Sequence, residues 1–416
     1  MVDSKFILEN LDLVKSSLAK RGSKINLDEL VELDQQRKAL IQKVEVLRKE
    51  RNELGRQNSP TTHERGKAVK AELKKLEPEL VTLDEKLGQL VSQIPNIVMP
   101  ETPVGTGEAD NVVVKTQGTE TKFDFVPLDH LQIAEQNGWL DFGRGAKVSG
   151  SQFYYTKGDL ALLELALIRY TVDFLTQKGF TLVNTPDLAK SRYYLGTGYN
   201  PRGPEAQIYT IEGEDLGLIA TAEVTLAGLH ADEILDAKQL PLKYVGVSHC
   251  FRKEAGAYGK YSKGLYRVHQ FTKVEMFVYC KPDDSAKMHL ELLKLEEELY
   301  QSLELPYRVL EMCAGDLGNQ AARKFDLEAW MPGRKDYGEV TSTSNTTDFQ
   351  ARRLQIKFRN VDGKTQFVHT LNGTAITSSR VPIAIIENFQ QKDHSVRLPE
   401  KLVPYFGKPV MAALNR

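Results

Sequence analysis

A chain of 416 residues is long enough for a large domain plus an accessory one, and its 55 basic and 56 acidic side chains leave a formal charge of −1, so a nucleic-acid surface has to be local. Cys250, Cys280 and Cys313 have neither CxxC nor zinc-ligand spacing, which argues against a disulfide framework and a structural zinc and reads as apolar filler in a reducing compartment. The chain opens without a basic-then-apolar leader and has no apolar run near the ~20 residues of a membrane span, so a soluble, cytoplasmic protein with no membrane partner is expected.

Residues 5–20 read as a short amphipathic helix. Then Leu30, Leu33, Leu40, Val44, Leu47 and Leu54 follow a spacing of three and four residues, with Arg37 and Arg51 in the two polar slots, and Val69, Leu73, Leu76, Leu80, Leu83, Leu87, Leu90 and Ile94 keep that rhythm. This is the seam of a coiled coil. Turn formers between the runs (Gly55, Asn58, Ser59, Pro60, Gly66) predict one antiparallel helical hairpin over about 28–94. At ~1.5 Å per residue each helix would extend about 40 Å. Pro78 removes a hydrogen bond, and because the seam continues beyond it a bend is expected, not an end. From Arg37 to Lys75 there are twelve basic against five acidic residues, a local excess of +7.

Residues 95–111, with Pro95, Pro100 and Pro103, read as a linker, and a core starts near Asn111. Residues 158–178 predict a long helix and 179–186 a strand ending in Pro186. Residues 244–252 and 268–280 predict two antiparallel strands joined by a basic loop containing Gly256, Gly259, Gly264, Lys260 and Lys263. Alternation puts His269, Phe271, Lys273, Glu275 and Phe277 on one face and Val268, Gln270, Thr272, Val274, Met276 and Val278 on the other. The first face suits a site floor, with Phe271 to stack a ring and Glu275 to hold an ammonium group. Pairing of Glu275 with Lys273 or Arg267 is the competing reading. Residues 366–390 predict a strand, a polar turn and an apolar helix with Arg380 in its first turn, where Pro382 is tolerated. Neither a GxxxxGK[ST] loop nor a GxGxxG turn is present, which argues against P-loop and Rossmann nucleotide sites.

Residues 251–277, opening Phe-Arg-Lys-Glu and closing on Lys-Val-Glu-Met-Phe, resemble motif 2 of the class II aminoacyl-tRNA synthetases in the form found in seryl-tRNA synthetases. Residues 366–390 resemble motif 3, 339–353 the metal and nucleotide strand, 219–224 (Ile-Ala-Thr-Ala-Glu-Val) the serine-recognition segment, and 158–186 motif 1. The resemblance covers nearly the whole chain, in the bacterial or organellar form. It implies an α+β fold: an antiparallel β-sheet core flanked by helices, with an N-terminal antiparallel coiled-coil arm. The implied domains are a tRNA-binding domain over 1–108 and a catalytic domain over 109–416.

The implied reaction is ATP-dependent attachment of L-serine to tRNA(Ser) through seryl-adenylate, with tRNA(Sec) left open as a second acceptor. Arg252 would hold the α-phosphate and Arg380 the γ-phosphate. Phe271 would stack the adenine, with Lys253, Glu254, Val268, Val340 and Thr341 completing the nucleotide site. Glu339 and Ser342 would hold Mg²⁺. Thr221, Ala222, Glu223, Arg252, Glu275, Asn372 and Thr374 would bind serine, with Arg252, Glu275 and Arg380 as the catalytic set. Arg37, Lys38, Arg48, Lys49, Arg51, Arg56, Arg65, Lys67, Lys70, Lys74 and Lys75 would contact tRNA, and motif 1 implies a homodimer. The chain departs from the common bacterial pattern at Lys253, at Thr374-Ala375 (where Ser-Gly is common), at Ser378-Ser379 and at Thr341 and Thr343. Thr374 keeps a hydroxyl. A ligase loading a carrier protein would lack the arm, and a non-catalytic RNA-binding paralogue would be expected to lose Arg252, Glu339 or Arg380. A pure coiled-coil scaffold would not carry the globular patterns that follow the arm.

Overall fold

The computed structural model describes residues 4–56, 60–199, 208–254 and 261–412, so Gly256, Gly259 and Lys260 of the basic loop and Asn58 and Ser59 of the arm turn lie outside the described residues. Two compact units divide the chain, 1–97 and 98–416. The division falls before the boundary expected after residue 108, for a local reason. Met99 N–H and Thr102 Oγ1 both bond to the Ala322 carbonyl, at 3.0 and 3.1 Å, and Ala314 N–H bonds to the Pro103 carbonyl at 2.8 Å. The start of the supposed linker is thus tied into the larger unit.

In the first unit the helix expected over 5–20 is two helices, α1 (Ser4–Glu9) and α2 (Leu11–Lys20). Asn10 separates them, its side chain bonding to the Phe6 carbonyl at 2.9 Å in competition with helical continuation. The arm is α3 (Leu27–Leu54) and α4 (Pro60–Gln93). Asn26 caps α3 by accepting from Asp28 N–H at 2.9 Å. α4 runs through Pro78 without ending. Seam residues Val44, Leu47, Val69 and Leu73 pack together along the arm, and Leu27, Leu30, Leu87, Val91 and Ile94 pack against Ile7, Val14 and Leu18 at its base. Ion pairs fix the direction: Arg37 to Asp84, Arg48 to Glu77 (2.9 Å), and Glu50 to Arg65 (2.6 Å). Partner numbers fall along α4 as numbers rise along α3, which only an antiparallel hairpin allows.

The second unit is built on an eight-stranded sheet. In chain order its strands are β1 (Val112–Gln117), β2 (Thr181–Asn184), β3 (Leu242–Phe251), β4 (Gln270–Cys280), β5 (Tyr307–Glu311), β6 (Arg323–Met331), β7 (Asp336–Asn345) and β8 (His369–Thr377). The spatial order is β1-β5-β6-β7-β8-β4-β3-β2. All pairs are antiparallel except β2 with β3, which is parallel. The expected 244–252 and 268–280 strands do pair, with Gln270 opposite Phe251. One face of the sheet carries Val274, Met276, Val278, Leu327, Leu371 and Ile376 into the main core. Helices α6 (Asp159–Gln177), α7 (Ser285–Ser302) and α8 (Arg380–Phe389) cover that face with Leu163, Leu167, Leu295, Leu299 and Ile383. A short helix between the arm and α6, α5 (His130–Gln136), starts with a capping box in which Asp129 and Gln132 satisfy each other's backbone N–H groups. The opposite face carries the polar side chains of the site and, beside them, Phe277 and Tyr279, which belong to a second apolar cluster with Leu226 and Leu354.

Candidate active site

Two β-bulges arrange that polar face. In a regular strand, residues three apart point to opposite sides. Along β8 the register against β4 jumps at Ala375: Ile376 faces Val274 and Thr374 faces Glu275. Thr374 and Thr377 therefore share a face with their partners Glu275 and Lys273. Along β7 the register against β6 jumps at Val340, so Glu339 faces Glu328, Thr341 faces Leu327 and Ser342 faces Asp326. One extra residue thus brings Glu339 and Ser342 to one side. The alternation expected for β4 holds, with Phe271, Lys273 and Glu275 together. Val268 precedes the strand and packs against Phe271 and Cys250.

Arg252, Glu254, Val268, Phe271, Glu339, Val340, Thr341, Thr374 and Arg380 all line one cleft with an empty volume of about 450 Å³. The same cleft takes in Lys273, which alternation had placed on the site floor, and Tyr266, Arg267, Thr377 and Ser379, to which the sequence assigned no role in it. Arg252 lies over the Phe271 ring at 5.2 Å and its Nε donates to the Ala220 carbonyl at 3.3 Å. Arg380 opens α8, sits 4.7 Å over the Tyr266 ring, and uses Nη1 on both the carboxylate and the carbonyl of Glu339, each at 3.1 Å. Its Nε donates to the Tyr266 carbonyl at 3.3 Å. Glu254 has a left-handed φ of 50°, unusual for a glutamate, and forms an ion pair with Arg267. Lys253 points elsewhere, its ammonium 5.6 Å over the Tyr209 ring.

Glu275 pairs with Lys273 at 2.5 Å, the competing arrangement foreseen for it, while Arg267 is taken by Glu254. Thr374 Oγ1 also donates to Glu275 Oε2, at 3.2 Å, so both contacts fall on one carboxylate oxygen. Lys273 and Glu275 are both buried, and removing either alone strands a charge at a cost of about 3–5 kcal/mol. Glu223, also buried, accepts from Gln350 Nε2 at 2.7 Å and from the Tyr199 hydroxyl at 3.2 Å. Burial, then the Glu275 charge, pushes its carboxyl up to about 7. Thr221 Oγ1 accepts from Glu223 N–H at 3.1 Å, and Ala222 lies in the adjoining apolar cluster. Asn372 faces Phe277 across the strand pair, on the Glu275 side.

Ser342 faces Asp326, whose carboxyl burial raises to about 6 despite Lys324 at 3.1 Å. Burial also pushes Glu339 up, but the charges of Arg380, Lys324 and Arg252 outweigh it and bring the carboxyl down to about 2. Glu339, Ser342 and Asp326 are hard oxygen donors on one face, the ligand type Mg²⁺ takes, while among the described residues no group of three or more His, Cys, Asp or Glu side chains is placed to hold a metal. Asp326 was missed because only strand pairing brings it to Ser342. Lys273 was legible from alternation alone. The three cysteines are buried singly, each in its own surroundings. Among the described residues no helix is long and apolar enough to cross a membrane.

Comparisons with known proteins bear on both units. The family described as "Seryl-tRNA synthetase N-terminal domain" matches residues 1–98, and "tRNA synthetase class II core domain (G, H, P, S and T)" matches residues 208–389. The serine–tRNA ligase of Rubrobacter xylanophilus is 50% identical over 424 residues, covering 100% of both chains. That of Dictyoglomus thermophilum is 51% identical over 417 residues, 98% of each chain. The seryl-tRNA synthetase of Pyrococcus horikoshii, solved with ATP, has a TM-score of 0.91 and 42% identity over 100% of both chains. The cytoplasmic serine–tRNA ligase of Naegleria fowleri, solved with AMP, gives 0.87 and 34% over 100% of this chain and 99% of its own. Agreement at this level runs from the helical arm through the bulged sheet to the last strand, and it establishes that the chain belongs to the seryl-tRNA synthetase family.

Proposed function

We propose that the chain activates L-serine with ATP and transfers it to tRNA(Ser), with Mg²⁺ as the metal, in the cytoplasm. The observation that carries this reading is that Arg252, Phe271, Glu339 and Arg380, drawn from three sequence motifs, line one cleft beside the Glu275–Thr374 pair. Arg252 is aimed where the α-phosphate would sit over the Phe271 ring, and its planar fork suits a phosphate that gains charge as pyrophosphate leaves. Arg380 takes the γ-phosphate, and Glu254 and Val268 border the adenine. Glu339, Ser342 and Asp326 would hold Mg²⁺, which neutralises phosphate charge when bound. Holding the serine carboxylate in line with the α-phosphate is the larger part of the chemistry.

The ammonium of serine goes to Glu275 Oε1, the oxygen that Lys273 and Thr374 leave, and to Glu223 beyond it. Thr374 meets the hydroxyl. A pocket built to pair a hydroxyl rejects alanine, because its own polar groups would be stranded. Serine-dependent ATP–pyrophosphate exchange is therefore expected with serine and not with threonine, alanine or cysteine. Exchange equal for alanine and serine would refute the assignment of Thr374.

Glu223 supplies a pH signature. Its pKa of about 7 lies above the ordinary 4.5, so between these values the carboxyl keeps its proton in the folded protein. A cationic ligand binds best once that proton has gone. Serine KM is expected to fall on the order of tenfold between pH 6 and pH 8, and Glu223→Gln to be flat over that range. An unchanged slope in the variant would remove Glu223 from the ammonium site.

A homodimer formed through α6 and β2 belongs to the same reading. β2 is the sheet's edge strand, and Leu162, Leu165 and Leu182 stand exposed on the two elements.

A further inference from the structure

His130 is fully buried and lies outside the cleft residues assigned above. Its backbone N–H and its Nδ1 both meet Glu387 Oε1, at 3.0 and 2.8 Å. On the other side of the ring, Nε2 lies 3.2 Å from Leu265 N–H. A backbone N–H can only donate, so Nε2 must carry the lone pair and the proton sits on Nδ1, donating to Glu387. Glu387 Oε2 is held in turn by Gly333 N–H at 2.8 Å. Gly264 has φ +56°, and a Cβ there would run into His130 Nε2, so the chain is pressed onto the ring.

These contacts form a closed circuit. Leu265 precedes Tyr266, whose carbonyl and ring both hold Arg380. Arg380 begins α8, and Glu387 lies two turns further along the same helix. Lys263, at the start of the same returning segment, is fastened to Asp129 at 2.5 Å, beside His130 in sequence. We propose that His130 is a positioning residue for ATP: its neutral Nδ1–H tautomer clamps the returning end of the basic loop to α8 and so fixes Tyr266 beneath Arg380. The proposal rests on the reading of the cleft as an ATP site.

Two isosteric cuts separate the ring's two bonds. His130→Asn places an amide nitrogen near Nδ1, keeps the bond to Glu387 and falls short of Leu265. His130→Gln gives up the side-chain bond to Glu387 but places an amide oxygen near Nε2 and still accepts from Leu265, while the backbone N–H of residue 130 keeps the tie to Glu387. Titration calorimetry with MgATP is expected to show about tenfold weaker binding for His130→Asn and recovery to within about threefold for His130→Gln. Gly264→Ala, which pushes the loop off the ring from the other side, should match the Asn variant and guards against a His130 variant that does not fold. Serine KM should move less than about twofold in all three. Equal ATP affinity in the Asn and Gln variants, or serine KM rising in step with ATP loss, overturns the proposal. An unsubstituted protein that does not bind MgATP overturns the functional reading itself, and the clamp with it.

Discussion

Arg380→Ala is expected to lower serine-dependent ATP–pyrophosphate exchange by on the order of 10³, as loss of one preorganised charge donor does elsewhere. The guanidinium is fixed on three sides, by the Tyr266 ring, the Tyr266 carbonyl and both oxygen functions of Glu339. Among the described residues of the cleft, no other guanidinium is held on three sides in this way. The variant also leaves Glu339 without its nearest cation, so the loss should show in ATP KM as well as in turnover. Arg380→Lys keeps the charge but not the fork, and should fall between the two enzymes. Because Arg380 sits at the first turn of α8 with the apolar body of the helix behind it, both variants should melt within a few degrees of the parent. Exchange within about threefold of the parent in Arg380→Ala would refute the phosphate role.

Deleting residues 35–85 and joining the stubs is expected to weaken tRNA binding at least about a hundredfold while leaving pyrophosphate exchange within about twofold. The base of the arm keeps its own core, because Leu27, Leu30, Leu87, Val91 and Ile94 lie outside the deletion. The basic residues of the arm fall into two groups. Arg37, Lys38, Arg48 and Arg65 are paired with acids of the arm itself. Lys49, Arg51, Arg56, Lys67, Lys70, Lys74 and Lys75 are exposed and make no ion pair among the described residues. The second group is the one available to phosphate. Reversing Lys70, Lys74 and Lys75 to glutamate should weaken tRNA binding and flatten its log–log salt dependence by roughly two. Unchanged tRNA affinity in the deletion would refute the arm's role outright.

The arm was legible because a heptad is local information: the 3-4 rhythm of Leu30, Leu40, Val44, Leu47, Val69, Leu73, Leu87 and Ile94 is the pattern that is buried. Leu76, Leu80, Leu83 and Leu90 follow the same rhythm and remain half-buried, since a two-helix hairpin covers a seam from one side only. The break at Asn10 was hidden, because a side chain competing for a carbonyl leaves the amphipathic pattern intact. Strand direction is hidden for a similar reason, and the parallel pairing of β2 with β3 has no signature in residue type. In the site, the same-face trio Phe271, Lys273 and Glu275 was readable from a period of two. Tyr266, Asp326 and His130 were not, because each acquires its role from a residue distant in sequence.

The bulge at Val340 has a consequence for how this enzyme can vary over time. Val340 stands between Glu339 and Thr341 without a partner opposite it, and its side chain is buried in the main core. Exchange for another apolar side chain should therefore be benign. Loss of that single codon would heal the bulge into a regular strand in which Glu339 still faces Glu328 and, now two residues from Ser342, still shares its side. A one-residue deletion should therefore be tolerated by lineages at this point of the strand, and purged from the regular stretch between Ser342 and Asn345, where it would turn one side of the strand to the other face.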